Sequence, residues 1–283
     1  MTEPKPLRGM GALVTGGAGG FGRACALALA RDGAVVTLMG RTEEKLRRVT
    51  AELRAAVPEA DVDWVVGDAT RADDVAAAVA RADRTPLRIC VATVGGGTVR
   101  PLLGLDEAVL RHDFERNVTS ALLAIQYAAA AMTPHGGGSV VCLSSSAGGG
   151  SFPFMPSYSV AKAALEALVR VAADELGHLA VRVNAVRPGL VPTDAEKPGM
   201  LVADPAQRAT VLAEKPLSRV GTVEDIAAAV RYLAGPESSW VTGAVLPVEG
   251  GNHLRRAPRL EALARAICGD EAIDQALNGT LPD

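Results

Sequence analysis

Aromatic side chains are nearly missing from this sequence: they make up 3% of its 283 residues, as two Trp, three Tyr and four Phe. Lysine is almost as scarce, with 5 Lys against 24 Arg. A core this poor in rings has to be filled by aliphatic and small side chains, and 51 Ala with 30 Gly supply the small ones. Cysteine is limited to Cys25, Cys90, Cys142 and Cys268, with no CxxC or CxxH spacing among them. That excludes the usual pattern of a thiolate metal centre, so no metal is expected, and the thiols read as buried and reduced. Long hydrophobic runs are absent too. The longest, Ala121 to Met132, spans 12 residues and is interrupted by Gln126, too short to cross a bilayer. Met1 to Arg8 is polar and proline-containing, without the apolar centre of a secretory signal. A net charge of −3 excludes the broadly basic face that nucleic-acid backbones demand. The 48% hydrophobic content excludes extended disorder. The sequence therefore reads as a cytoplasmic globular protein, with neither membrane nor nucleic acid as a partner and with ample length for one large α/β domain.

What is present is an alternation of strand-length apolar runs with longer helical patterns. Strands are expected over 10–15, 35–39, 62–66, 88–94, 139–143, 181–186 and 244–248, and helices over 21–32, 73–82, within 105–132, and over 157–179 and 223–233. Another helix follows Thr42, which is suited to cap it, with Glu43 and Glu44 at its positive end. None of the strands alternates cleanly between apolar and polar, as expected when helices cover both sheet faces. Such alternation implies right-handed crossovers and a doubly wound, seven-stranded parallel sheet with helices on both faces.

The first strand runs into Thr15-Gly16-Gly17-Ala18-Gly19-Gly20-Phe21-Gly22. Between a strand and a helix, such glycines let backbone approach a pyrophosphate, whose charge the helix N-terminus stabilises. The second strand ends in Gly40-Arg41, where an acidic residue would bind a free ribose 2′-hydroxyl. Arg41 suits a 2′-phosphate instead, which favours NADP(H) over NAD(H). Asp68, after the third strand, is placed to face an adenine amino group.

Tyr158 and Lys162 stand four residues apart, hence on one helix face. An unperturbed phenol titrates near pH ~10, and a neighbouring positive charge favours its ionised form. Ser145 lies directly after the fifth strand, at the ligand-binding edge of such a sheet, thirteen residues before Tyr158. Asn117 lies in the preceding helical region, within reach of holding a water against Lys162.

With the glycine loop, Asp68, Asn117, Ser145, Tyr158-x-x-x-Lys162, Pro188-Gly189-Leu190-Val191-Pro192-Thr193, Thr242-Gly243 and Gly250-Gly251 in this order, residues 8–251 resemble the short-chain dehydrogenase/reductase family, classical type. The resemblance implies a single Rossmann domain over 1–251 and an oxidoreductase that moves a hydride between nicotinamide and a carbonyl or secondary alcohol. It makes Tyr158 the acid–base catalyst and Lys162 its pKa-lowering, ribose-binding partner. It gives Ser145 the orientation of the carbonyl and Asn117 the upkeep of a proton-relay water. Gly16, Gly20, Phe21, Gly22, Arg41, Asp68, Ala69 and Gly95 would hold the cofactor with Tyr158, Lys162, Pro188, Gly189, Val191 and Thr193. Residues 193–216 would form a substrate lid. A dimer or homotetramer would pack through the helices around 105–132 and 157–179. One departure is Ala92-Thr93-Val94-Gly95 where the family usually has Asn-Asn-Ala-Gly; Ala92 cannot brace neighbouring strands, so a local loss of sheet bracing is expected.

The substrate is expected to be small or lipid-like, with Phe152, Phe154 and Met155 as its large contacts. A 3-oxoacyl-thioester reductase is an alternative, weakened by an acid, Asp174, where carrier-protein-dependent members often have a basic residue. A non-catalytic NADP-binding sensor is another. Residues 252–283 form an extension with apolar stripes at Leu260, Leu263, Ala264 and Ile267 and at Ile273, Ala276 and Leu277, and a basic start at Arg255, Arg256, Arg259 and Arg265. One or two helices are expected there, packed on the body or on a neighbouring subunit, with the sharper expectation that they cover a neighbour's active site.

Overall fold

The computed structural model describes residues 5–193, 204–213, 215–255 and 260–281. Its centre is a seven-stranded sheet made of β1 (Gly11–Thr15), β2 (Val35–Gly40), β3 (Val62–Val66), β4 (Leu87–Ala92), β5 (Gly138–Leu143), β6 (Val181–Pro188) and β7 (Val245–Val248). The order is β3-β2-β1-β4-β5-β6-β7, with every pairing parallel. The order reverses at β1, so the loops after β1 and β4 open a crevice at the carboxyl edge, where doubly wound sheets bind ligands.

Helices α1 (Gly20–Arg31), α2 (Glu43–Ala56), α3 (Ala72–Ala82), α4 (Glu107–Phe114), α5 (Ser120–Met132), α6 (Pro156–Leu176), α7 (Pro205–Ala213) and α8 (Val223–Ala234) surround the sheet. One core layer joins Leu29 of α1, Leu46 of α2 and Ile226 of α8 to Val36 and Leu38. The other joins Val75 of α3, Ile125 of α5 and Leu165 of α6 to Leu13, Cys90 and Val183. Each fully buried Leu or Ile contributes about 1.5–3 kcal/mol, and alanines such as Ala124 and Ala128 let α5 lie close on the strands.

Three local expectations change. Thr42 occupies the start of α2, but its hydroxyl makes no capping bond. The 105–132 region is one helical path interrupted by a π-helical turn at Glu115–Thr119, which holds the buried Asn117. The sheet is not left unbraced at Ala92: the Thr93 hydroxyl donates to the Thr15 carbonyl at 2.7 Å and ties β4 to β1 one residue later. At the other end, the Asn184 amide donates to Val241 O at 2.8 Å and accepts from Ala244 N at 3.0 Å, fixing the entry to β7.

The extension forms two eight-residue helices, α9 (Glu261–Cys268) and α10 (Asp270–Leu277), separated by Gly269 at φ 85°. Leu263, Ala264 and Ile273 pack against Val99, Phe154 and Met155 of the same chain. The tail thus lies over its own chain's crevice, with Leu260 and Leu263 in the cavity wall. Ile267 and Leu277 stay 41% and 57% exposed, so the outer ends of both stripes are not covered. Arg265 spends its charge within the tail on Glu261, Asp270 and Asp274, and Arg256 and Arg259 lie outside the described residues. So do 194–203 and 214 of the expected lid; its described parts are Thr193, α7 and the start of the next loop.

Candidate active site

The crevice begins at the glycine loop. A Cβ at Gly22 would stand 2.3 Å from the Gly16 carbonyl, so only glycine permits this tight passage from β1 into α1. Thr193 lies over the loop, with its side chain 3.0 Å from where a Cβ of Gly20 would be. Arg41 is exposed at the end of β2, close enough to Asp68 to depress its carboxyl, although hydrogen bonds from Thr70 do more to lower it. Asp68 Oδ1 accepts from Thr70 N and Oγ1 at 3.0 and 2.8 Å, and Ala69 is buried behind it. A bare-backbone loop, a helix N-terminus and a basic residue at the β2 end fit the pyrophosphate and ribose of a dinucleotide.

Phe21, Gly95, Tyr158, Pro188, Gly189 and Val191 line a cavity of about 580 Å³ that continues from this cradle. Gly97 presses against the Tyr158 ring, with its Cβ position 2.5 Å from the ring's first carbon. Ser145 hydrogen-bonds the Tyr158 phenol, but burial outweighs it and the phenol is pushed above its ordinary value. Lys162, 3% exposed, donates to the Leu143 carbonyl at 2.7 Å and lies 5.8 Å from the Tyr158 ring centre. Burial pulls its ammonium down to about 8. Burial thus shifts both groups toward their neutral forms. Asn117 accepts from Gly96 N at 3.2 Å and donates to Gly96 O and Asp113 O at 2.8 and 2.6 Å. Its amide is occupied in holding the Gly95–Gly96 turn, and it meets Lys162 only across Gly95.

Several residues were not legible beforehand. Arg116 donates to the Gly95 carbonyl at 2.9 Å and lines the cavity. Buried Asp113 accepts from Thr98 N at 3.0 Å and from Ser157 Oγ at 2.6 Å, joining the end of α4 to the start of α6. Buried Glu166 accepts from Ser144 Oγ at 2.7 Å and from Arg187 at 2.9 and 2.6 Å, supporting the strand end that carries Ser145. Lys215 and Asn252 also line the cavity. Of the expected large contacts, Phe152 and Met155 line it; Phe154, at φ 66°, packs instead in the apolar cluster under the tail. Cys25, Cys90 and Cys142 are buried, and burial raises all three thiols.

The Lys162 shift sets a pH dependence of stability. An unfolded lysine stays protonated to about pH 10.4, while the folded one loses its proton near 8. Between these values the unfolded chain binds more protons, so this residue makes stability rise with pH. The buried cysteines act oppositely above pH ~8.5, so the contribution is read as a difference. From pH 8 to 10, the urea midpoint of wild type should rise relative to that of Lys162→Met. Parallel curves would remove the argument.

A family model described as "Enoyl-(Acyl carrier protein) reductase" matches residues 16–253. The chain is 36% identical over 253 residues to galactitol 2-dehydrogenase (L-tagatose-forming) of Cereibacter sphaeroides, covering 87% of this chain and 95% of that protein. It is 37% identical over 244 residues to cis-4-hydroxycyclohexanecarboxylate dehydrogenase of Sinomonas cyclohexanicum, covering 85% and 95%. Among solved structures, a short-chain type dehydrogenase/reductase from Mycobacterium ulcerans superposes with a TM-score of 0.89 at 33% identity, covering 95% of this chain and 98% of that one. Among the described residues no helix is long and apolar enough to cross a membrane.

Proposed function

The chain belongs to the short-chain dehydrogenase/reductase family, an oxidoreductase family that uses a nicotinamide cofactor and acts on alcohols and carbonyls, and on that premise we propose that it is an NADP-dependent enzyme for a small or lipid-like carbonyl or secondary alcohol, with Tyr158 as its acid–base catalyst. The observation that carries this reading is the placement of the Tyr158 phenol on Ser145, above buried Lys162, in a cavity continuous with the glycine cradle.

When bound, the cofactor supplies or accepts a hydride at C4 of its nicotinamide ring. The chain's own residues handle position and protons. Ser145 donates a hydrogen bond to the substrate oxygen, and Tyr158 gives that oxygen a proton in reduction and removes it in oxidation. Lys162, which has no acidic partner within hydrogen-bond reach among the described residues, holds the nicotinamide ribose and restores positive charge beside the phenol. Asn117 keeps Gly95 and Gly96 where backbone meets the cofactor, and water retained beside that turn carries the proton onward. Gly16, Gly20, Phe21, Gly22 and Thr193 receive the pyrophosphate. Asp68 and Ala69 bound the adenine, and Pro188, Gly189 and Val191 the nicotinamide.

NADP preference rests on Arg41, exposed at the β2 end with Gly40 in place of a repelling acid. A charge-assisted contact of this kind contributes roughly 1.5–3 kcal/mol. Arg41→Ala should therefore weaken NADPH binding by about tenfold or more while leaving NADH nearly unaffected. Equal wild-type affinity for the two cofactors would defeat the phosphate argument. NADPH consumption on a ketone and aldehyde panel tests the activity itself, and inactivity on the whole panel with cofactor binding intact would support the sensor alternative.

The enzyme acts in the cytoplasm, as one catalytic domain over 1–251 with the 252–283 extension. It works as a dimer or tetramer: Leu122, Ala129, Leu168 and Val171 line an apolar groove along α5 and α6 that a second copy fills.

A further inference from the structure

The C-terminal extension contributes two side chains to the cavity, Leu260 and Leu263, which the chemistry above leaves unused. They stand three residues apart, at the start of α9, where the Ala264 N–H closes the turn on the Leu260 carbonyl at 2.8 Å. Ala264 and Ile273 take no part in the lining. They are fully buried and pack with Val99, Phe154 and Met155. The extension thus has residues that anchor it and residues turned to the cavity. Leu263 keeps 7% of its surface accessible against 2% for Leu260, so it presents the larger contact.

This seat is close to the reacting groups. Val99 comes two residues after Gly97, which presses on the Tyr158 ring, and Met155 comes three residues before Tyr158. Arg100 N donates to Phe154 O at 2.8 Å, which ties these two segments together. The Cys268 thiol donates to the Val99 carbonyl at 3.5 Å and fastens the end of α9 there. Before α9, the Arg255 guanidinium donates to Ala213 O at 2.6 Å and joins the extension to α7, whose Val211 also lines the cavity.

Native interiors pack closely, yet the space bounded by these leucines, Phe152, Met155, Leu190 and Val211 stays open. An apolar space of this kind suits the apolar part of a ligand. We propose that the extension is a specificity wall: Leu263, with Leu260 beside it, contacts the hydrocarbon body of the substrate and sets how bulky a body the site admits. The substrate class is then a ketone or secondary alcohol whose hydrocarbon body is large enough to reach from Tyr158 to the extension. This rests on the oxidoreductase reading above and narrows its substrate class.

The test uses the full chain and ketones of graded bulk: 2-butanone, cyclohexanone, 4-tert-butylcyclohexanone and 2-decalone. The readout is kcat/KM for each bulky ketone relative to 2-butanone. One methylene in an apolar pocket already shifts selectivity by about tenfold or more. Leu263→Ala should therefore raise the ratio for 4-tert-butylcyclohexanone or 2-decalone by at least about tenfold, and Leu263→Phe should lower it. The NADPH dissociation constant should stay within about threefold. Ile267→Ala, on the exposed side of the same helix, should leave the ratios unchanged. A purely structural tail would lower kcat/KM for all four ketones in parallel. Ratios constant within twofold, the same direction of change in both Leu263 variants, or an equal change with Ile267→Ala would each overturn the proposal. Leu260→Ala and Leu260→Phe read the same ratios if the Leu263 variants fail to fold. If no ketone is turned over, the same four are compared by calorimetric binding to the NADPH-saturated protein. Opposite shifts of bulk preference there would keep the wall's role while the oxidoreductase reading fell, and no shift or no binding would end both.

Discussion

Tyr158→Phe should lower kcat by about 10²–10⁴-fold, the range for loss of a positioned proton donor, with NADPH affinity kept within about threefold. The ring of Tyr158 packs against Gly97, a contact that phenylalanine preserves. What is lost is one oxygen, the atom hydrogen-bonded to Ser145. The surrounding fold has no reason to change, because Lys162 is held by the Leu143 carbonyl and Asn117 by the Gly95–Gly96 turn, neither through the phenol. Stopped-flow measurement of NADPH oxidation under single-turnover conditions, beside a fluorescence titration of cofactor binding, separates the two effects. A variant that kept more than about a tenth of wild-type turnover would remove Tyr158 from the proton step. Ser145→Ala should lower turnover too, but by less, since the phenol would remain to donate.

The features legible in the sequence are those that local spacing encodes. The glycine loop between β1 and α1 reads directly, because tight turns and close backbone approach leave few residue types available. Tyr158 and Lys162 read as a pair because a helix brings i and i+4 together, and Ser145 reads because it follows a strand at the ligand edge. The strand–helix alternation was sufficient for the parallel sheet, since both faces must be covered. The residues that escaped depend on partners far along the chain. Thr93 meets Thr15, Glu166 meets Arg187, and Lys215 is closed in by the segment around Gly250. No periodicity marks such contacts, and an isolated Lys, Glu or Arg looks like a solvated surface residue. The π-helical turn that places Arg116 and Asn117 likewise has no compositional signal, because it differs from an α-helix only in which carbonyl each N–H reaches. The extension's stripe gave helices but not their seat, since an apolar stripe does not say which surface will cover it.

Breaking the buried pair behind Ser144 should give the largest loss of stability. Glu166 is 3% exposed and receives three hydrogen bonds, from Ser144 and from two nitrogens of Arg187. Its carboxylate raises the affinity of the guanidinium for its proton. Glu166→Leu leaves Arg187 charged against the inner face of the loop, where a Cβ at Gly149 would already stand 2.3 Å from the guanidinium. It also leaves the Ser144 hydroxyl without an acceptor. Removing one partner of a fully buried pair costs about 3–5 kcal/mol, and less where, as here, the arginine side chain is 19% exposed, whereas replacing both by apolar groups of similar volume is often close to neutral. Glu166→Leu should therefore lower the denaturant midpoint strongly, and adding Arg187→Met should recover much of the loss. Catalysis divides the two roles of the pair. Ser144 and Ser145 are adjacent, so if the pair also aims the Ser145 hydroxyl, the double variant will regain stability but keep a reduced kcat with little change in KM. If both return together, Glu166 and Arg187 serve only the fold. Equal midpoints for the single and double variants would show that the uncompensated arginine, on which this argument depends, is not what the substitution exposes.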